Sequence, residues 1–266
     1  MCQLLGMNCN TPTDITFSFE GFRRRAGLTD HHTDGFGIAF FEGKGVRIFR
    51  DNRPGASSPM ADLVSQYRIK SYNVIAHIRK ATRGNVNLEN THPFIREIWG
   101  ENWVFAHNGT VENVTVCPNN HYQPIGTTDS EAAFCCLAAK LKERFSQKPS
   151  EKEIFDAVVE FTGDIAQKGV FNFILSNGHW MIARCSTNLH YVCRRAPFGT
   201  ALRDDDVMID FREYTKESDK VTIITTQPLT KNENWIKMKN GGYVFFKEGD
   251  VLFEIEGTLP ECKPHV

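Results

Sequence analysis

The sequence lacks the features that mark secreted, membrane-spanning and metal-binding proteins. No segment approaches the about 18 apolar residues of a membrane-spanning helix. The N-terminus has no basic stretch followed by an apolar run, which argues against a signal peptide. The eight cysteines include no C-x-x-C pair, so neither a zinc site nor a redox motif is indicated. We therefore expect a cytoplasmic protein with no metal, no membrane contact and mostly buried, reduced thiols.

A dominant charge of one sign is also missing. The chain has 31 Lys and Arg against 32 Asp and Glu, a formal net charge of -1. No global field favours a nucleic acid, so we expect no nucleic-acid partner. The one basic run, Arg23-Arg24-Arg25, is short and is expected to be solvated surface.

Long linkers, internal repeats and low-complexity tracts are absent as well. The 266 residues, 41% of them hydrophobic, suit one large domain with a substantial core. We expect a single domain over residues 1–266 with a short C-terminal tail.

Short apolar runs separated by turns predict many strands, and three segments predict helices. The helices are expected over 58–67, 128–145 and 150–168. The second and third open with the S/T-x-x-E pattern of a capping box, at Thr128-Asp129-Ser130-Glu131 and Ser150-Glu151-Lys152-Glu153. The strands are predicted at 37–41, 46–50, 73–78, 103–107, 170–176, 180–185, 189–193, 221–226, 243–246 and 251–255. This pattern indicates an α+β fold with two packed sheets and helices outside.

Cys2 is the first candidate for chemistry. Met1 is normally removed when the second residue is small, and Cys2 would then carry both a thiol and a free α-amine. That amine has a pKa of about 7.7–8.0, so it accepts a proton near neutral pH. A nucleophile with its own base is a recognised catalytic arrangement. The alternative is a small buried residue near a first strand.

Four short blocks of residues, taken in their order, strengthen the catalytic interpretation. They are Met1-Cys2, His77-Ile78-Arg79-Lys80-Ala81-Thr82-Arg83-Gly84, His107-Asn108-Gly109 and Thr128-Asp129-Ser130-Glu131, and the segments Asn90-Thr91-His92-Pro93 and Asp34-Gly35-Phe36-Gly37 fit the same order. Together they resemble the class II glutamine amidotransferases, which are N-terminal-nucleophile hydrolases. The segments 185–190 and 194–199 resemble those of the stand-alone, YafJ-type members. The resemblance implies a four-layer αββα sandwich.

The resemblance also implies a role for each block in hydrolysing the side-chain amide of glutamine through a thioester, without a cofactor. Cys2 would be the nucleophile, and Asn108 and Gly109 would form the oxyanion hole. Arg79 would pair with the substrate α-carboxylate through its planar fork, and Asp129 would bind the α-ammonium group. Thr82, Gly84 and His92 would line the same pocket. The family often has Trp where this chain has Lys80.

Each of these residues also has a structural interpretation. Asn108-Gly109 is a common hairpin turn, an acidic residue such as Asp129 favours the first turn of a helix, and His92 suits packing. The substrate alternatives are glutamine or a larger γ-glutamyl amide or peptide. Ammonia would pass to a separate synthase subunit, if there is an acceptor. A non-catalytic descendant that binds amino acids or a partner is the third alternative.

Overall fold

A computed structural model describes residues 2–27, 33–81, 85–114 and 121–257 of the chain. These residues form fifteen strands, four α-helices and one short 3-10 helix. The strands are β1 Gln3–Asp14, β2 Phe36–Glu42, β3 Gly45–Asp51, β4 Lys70–Ile78, β5 Phe94–Ile98, β6 Glu101–Val111, β7 Gly169–Ser176, β8 Met181–Arg184, β9 His190–Arg195, β10 Thr200–Leu202, β11 Met208–Asp210, β12 Lys220–Thr225, β13 Ile236–Lys237, β14 Tyr243–Lys247 and β15 Asp250–Ile255. The helices are α1 Thr16–Arg24, α2 Pro59–Tyr67, α3 Asp129–Arg144, α4 Glu151–Ala166 and the 3-10 helix Phe211–Glu213.

Two antiparallel sheets organise the molecule. The first has the order β13-β9-β12-β1-β4-β2-β3, and the second has the order β15-β14-β8-β7-β6-β5. Strands β10 and β11 form a separate two-stranded sheet. Strand β1 is central in the first sheet, where Leu5 lies between Ala76 of β4 and Thr225 of β12. Cys2, which directly precedes β1, is therefore held at one end of a strand that is hydrogen-bonded to a neighbour on each side.

The two sheets face each other across a core that excludes water. Leu4, Ile75 and Ile224 from the first sheet pack with Ala106 and Ile174 from the second, and all five are fully buried. These residues lie between the sheets because every second side chain of a strand points to the same side of its sheet. The site described below lies at one end of this core.

Helices cover the outer face of each sheet. Phe22 of α1 and Val64 of α2 pack on the first sheet, in a core with Phe40. Phe134 of α3 and Phe155 of α4 pack on the second sheet. The four-layer αββα sandwich is thus confirmed. No helix among the described residues is long and apolar enough to cross a bilayer.

The predicted helices are confirmed with small changes at their ends, while one capping prediction is wrong. Ser150 and Glu153 form the reciprocal capping box of α4. At α3, Thr128 accepts from the Glu131 amide, but the Glu131 carboxylate accepts from Arg96 at 2.6 Å and from the Gly126 amide at 2.7 Å. The half-buried Arg96 guanidinium competes successfully for this buried carboxylate because a charged pair loses less on burial than an isolated charge.

The expectation of a solvated Arg23-Arg24-Arg25 run is wrong for Arg25. This residue is buried and donates to the main-chain carbonyls of Gln227 and Pro228 and to the carboxylate of Asp204. The run lies at the end of α1, which was not predicted, and this end packs against the segment that follows β12.

Candidate active site

Cys2 lies against the main chain that follows β4. The Lys80 amide donates to Cys2 Sγ at 3.2 Å, and Sγ lies 3.3 Å from the Lys80 carbonyl oxygen. Burial raises the pKa of the Cys2 thiol, against the lowering effects of the Lys80 main chain and the Arg79 charge. The neutral thiol is therefore favoured at neutral pH, and a nucleophile here needs a nearby base.

Asn108 brings a hydrogen-bond donor from the second sheet to Cys2. Its side-chain Nδ2 donates to the Cys2 carbonyl oxygen at 2.6 Å. Asn172, its partner across the ladder of β6 and β7, donates to the Asn108 carbonyl oxygen at 2.9 Å. Both asparagines are buried. The amide of Asn108 is thus fixed beside the nucleophile candidate by contacts on its main chain and its side chain.

Gly109 follows Asn108 in β6 and lies opposite Phe171 of β7. Its φ is +154°, and a Cβ added there would lie 1.9 Å from the Val170 carbonyl oxygen. No side chain fits in that space without moving the β7 main chain. Packing alone therefore accounts for glycine at this position, and the role of its N–H in an oxyanion hole remains a prediction.

Arg79 leaves β4 directly before the Lys80 amide that touches Cys2. Its own amide donates to the Gly35 carbonyl oxygen at 2.8 Å, and its guanidinium donates to the Asn85 carbonyl oxygen at 2.9 Å. The side chain is buried, and burial lowers the pKa of its guanidinium despite the opposing influence of Cys2 and Asp34. A substrate carboxylate would offset the cost of burying this charge.

Asp129 begins α3 and is tied to the strand that carries Asn108 and Gly109. Its carboxylate accepts from the Val111 amide at 2.7 Å, at the end of β6. The residue is half-buried and forms no ion pair with any described residue. Both interpretations of the sequence remain compatible with this position, because a carboxylate at a helix start is stabilised there whether or not it also binds a cation.

His92 packs in a stack of rings. Its ring centroid lies 4.1 Å from that of His77 and 4.5 Å from that of Phe94. Burial lowers the pKa of His92 well below its ordinary value, and the neighbouring His77, His107 and Arg79 add to the effect. Neither ring nitrogen of His92 has a hydrogen-bond partner among the described residues. The neutral ring of His92 therefore packs against the rings of His77 and Phe94. A role in lining the substrate pocket remains a prediction.

Two polar residues beside the candidate nucleophile and its neighbours were assigned no role from the sequence. His107 is fully enclosed, with Nε2 3.1 Å from the Val170 carbonyl oxygen and Nδ1 2.8 Å from Ser130 Oγ. A carbonyl only accepts, so the proton sits on Nε2 and the Ser130 hydroxyl donates to Nδ1. Thr226 is the second, and its hydroxyl reaches both β1 and Asn108. Neither role has a signal in the sequence, since each depends on residues distant along the chain.

The structure thus brings both Asn108 and the main chain at Lys80, next to Arg79, into contact with Cys2. Asp129 is tied to the same strand as Asn108, because its carboxylate accepts from the amide of Val111, two residues after Gly109. Thr82 and Gly84 lie outside the described residues, so their predicted roles stay predictions. Among the described residues, no group of three His, Cys, Asp or Glu side chains could hold a metal ion.

Two facing sheets covered by helices, with a thiol directly before a central strand, are the arrangement expected of an N-terminal-nucleophile glutamine amidotransferase. The family model described as "Glutamine amidotransferases class-II" matches residues 1–265. The chain belongs to this family.

Individual relatives agree with this assignment. The chain is 70% identical to the "Putative glutamine amidotransferase" of Haemophilus influenzae over 263 residues, 98% of this chain and 90% of that protein. It is 51% identical to the "Putative glutamine amidotransferase YafJ" of Escherichia coli, over 94% of this chain and 99% of that protein.

Solved structures show the same fold. A predicted glutamine amidotransferase from Pseudomonas aeruginosa superposes with a TM-score of 0.76 at 41% identity, covering 95% of this chain and all of that one. The glutamine phosphoribosylpyrophosphate amidotransferase of B. subtilis gives a TM-score of 0.64 at 12% identity, covering 97% of this chain and 50% of that chain. The second likeness is one of fold alone.

Proposed function

We propose that the protein hydrolyses the side-chain amide of glutamine to glutamate and ammonia through a thioester on Cys2. The observation that carries this proposal is the meeting of Cys2 with a buried amide donor, Asn108 Nδ2, at 2.6 Å from the Cys2 carbonyl oxygen. Family membership supports the reaction class, and the buried Arg79 beside Cys2 supports a substrate with a carboxylate.

In the first half of the reaction, removal of Met1 frees the α-amine of Cys2 to accept the thiol proton. Sγ attacks the side-chain carbonyl carbon, and the S–C bond forms as the carbonyl oxygen takes the negative charge. Asn108 Nδ2 and the Gly109 amide stabilise that oxyanion, a contribution worth about 10²–10³ in rate for each donor. The C–N bond then breaks, and the proton held by the α-amine leaves with ammonia.

In the second half, water gives a proton to the same α-amine and attacks the thioester, which releases glutamate and restores the thiol. Arg79 and Asp129 would hold the α-carboxylate and α-ammonium group of a free amino acid throughout. Reading both charged ends would select a γ-glutamyl group over a simple amide. We further propose that the reaction takes place in the cytoplasm and that ammonia goes either to water or to a separate synthase subunit.

The test is a measurement of glutamate and ammonia released from L-glutamine by the processed protein, with Cys2→Ala as the matched variant. We expect equal amounts of both products from the wild type and none above background from Cys2→Ala. Equal turnover by the two proteins would refute the nucleophile, and no turnover by either would refute glutamine as the substrate.

Lys80 favours a second candidate, a hydrolase of larger γ-glutamyl amides or peptides. Its side chain is exposed, and it lacks the aromatic ring that the family often has at this position. A bulky leaving group would therefore have room beside Cys2. Comparison of kcat/KM for γ-glutamyl anilide and for glutamine separates the candidates, and a higher value for the anilide would favour the second.

A further inference from the structure

Two hydrogen-bond acceptors near its Nδ2 set the orientation of the Asn108 side-chain amide. Its Oδ1 is buried and has no hydrogen-bond partner among the described residues. Its Nδ2 donates to the Cys2 carbonyl oxygen at 2.6 Å and lies 3.4 Å from Thr226 Oγ1. A primary amide nitrogen has two donor hydrogens, so the Cys2 carbonyl oxygen and Thr226 Oγ1 can each accept one of them. These two acceptors keep the nitrogen, and not the oxygen, turned towards the nucleophile.

Thr226 also holds the strand that leads from Cys2. The Leu4 amide donates to Thr226 Oγ1 at 2.9 Å, and the Thr226 amide donates to the Leu4 carbonyl oxygen at 3.2 Å. A side-chain oxygen thus occupies the place that a main-chain carbonyl usually has in a ladder. The Thr226 carbonyl turns away and accepts from Asn188 Nδ2 at 2.7 Å.

One hydroxyl therefore contacts both halves of the site. Leu4 belongs to β1 of the first sheet, Thr226 directly follows β12 of the same sheet, and Asn108 belongs to β6 of the second. All three are buried, so water cannot easily replace the threonine oxygen. Threonine suits the position because its branched Cβ restricts χ1 and so fixes the direction of the oxygen.

We propose that Thr226 is a positioning residue that sets the distance and orientation of the Asn108 amide relative to Cys2. The hydrogen bond from Asn108 Nδ2 to Thr226 Oγ1 is the longer of the two, at 3.4 Å. The hydrogen that Nδ2 directs to Thr226 is therefore the one available to the oxyanion when the tetrahedral intermediate forms. This inference rests on the proposed function, because it gives Thr226 importance in the transition state of amide hydrolysis.

The experiment compares Thr226→Val, which keeps the shape but removes the acceptor, with Thr226→Ser, which keeps the oxygen. We expect Val to lower kcat for glutamine about 10-fold to 100-fold, with KM changed less than about threefold, since misplacement of an oxyanion donor weakens the transition state more than substrate binding. Serine should restore kcat to within about fivefold of the wild type. Thr226→Ala carries the same expectation as Val, and it decides the question if Val is insoluble.

Thr225→Val is the matched control. Thr225 is equally buried, but its hydroxyl donates to the Gln227 carbonyl oxygen at 2.7 Å. We expect its kcat to stay within about threefold of the wild type, because no donor of the site depends on it. Equal losses of kcat in the two valine variants would overturn the proposal, as would a Thr226→Val variant with wild-type kcat.

A second readout does not depend on turnover. The side-chain NH₂ resonances of Asn108, assigned by loss of signal in an Asn108→Ala variant, should shift in Thr226→Val and stay near the wild-type position in Thr226→Ser and Thr225→Val. Unchanged resonances in Thr226→Val would overturn the positioning role. If the wild type does not hydrolyse glutamine, the proposed function fails, and these resonances alone decide whether Thr226 orients the amide.

Discussion

The side-chain amide of Asn108 donates to the main-chain carbonyl of Cys2 at 2.6 Å, and this bond joins the second sheet to the start of the first. Asn108 is in β6 of the second sheet, and Cys2 directly precedes β1 of the first sheet. The two residues are 106 positions apart in the chain. The amide is therefore held in place by contacts from both sheets, as its proposed role as an oxyanion donor requires. Donors held in this way give the largest benefit in the transition state.

Asn108→Ala should lower kcat by about 10²–10³, with a smaller effect on KM, because the lost donor acts mainly on the oxyanion. Steady-state kinetics with L-glutamine measure both constants. Asn102→Ala is the control, since Asn102 lies on the same strand but donates to the Lys44 carbonyl oxygen. A similar kcat for Asn108→Ala and the wild type would remove the oxyanion role.

Arg79→Lys should raise KM for glutamine by about tenfold or more and change kcat less, because lysine lacks the planar fork that pairs with a carboxylate through two bonds. Arg50→Lys is the control, since Arg50 is a partly buried arginine that contacts the Thr91 carbonyl oxygen. An Arg79→Lys variant with the wild-type KM would contradict the carboxylate role.

Two glycine substitutions should change stability in opposite directions. Gly109→Ala places a Cβ 1.9 Å from the Val170 carbonyl oxygen and should lower the free energy of unfolding by about 2 kcal/mol or more. Gly163→Ala, inside α4 with nothing within 4 Å of the added Cβ, should raise it by about 0.5–1 kcal/mol. Denaturant unfolding measures both, and a neutral Gly109→Ala would mean that β6 and β7 adjust more freely than this geometry allows.

The stability of the protein should fall as the pH falls below about 6.5, the ordinary pKa of histidine. Burial lowers the pKa of His92 and of His107. Each histidine takes up a proton first in the unfolded chain, which costs the folded state up to about 1.4 kcal/mol per pH unit. More than about one pH unit above 6.5 these rings are neutral in both states, and the dependence disappears.

His92→Phe should therefore flatten the decline in the free energy of unfolding between pH 6.5 and 5.5. The exposed His121 offers the control substitution His121→Gln, which should leave the decline as in the wild type. Denaturant unfolding at pH 7.5, 6.5 and 5.5 gives the slopes. Parallel curves for His92→Phe and the wild type would show that His92 is protonated equally in both states.

The sequence predicts the regular parts of this fold well and its irregular parts poorly. Helices α2, α3 and α4 have capping residues at their starts, and each was placed within a few residues of its observed ends. Helix α1 was missed because it has no acidic residue in its first turn and no side-chain cap. Strand β1 was missed because Gly6, Asn8 and the polar residues after Cys9 interrupt its apolar pattern.

The site divides in the same way. Cys2, Arg79 and Asn108 could be proposed from the sequence because the family's short blocks occur in a characteristic order, and the structure brings Asn108 and the Arg79–Lys80 segment close to Cys2. Their catalytic and binding roles stay predictions. Thr226 and Asn172 could not be predicted, because their contacts with Asn108 arise only when two strands from different parts of the chain meet. Pair contacts of this kind have no local pattern in one sequence.

The intact mass of the purified protein, before and after incubation with a diazo-ketone analogue of glutamine, tests the nucleophile most directly. We expect the loss of Met1 and a single covalent adduct, mapped by peptide sequencing to Cys2 and absent from Cys2→Ala. The half-buried Cys136 serves as an internal control that should stay unmodified. Retention of Met1, an adduct on another cysteine, or no adduct on the processed protein would contradict an N-terminal Cys2 nucleophile that recognises glutamine.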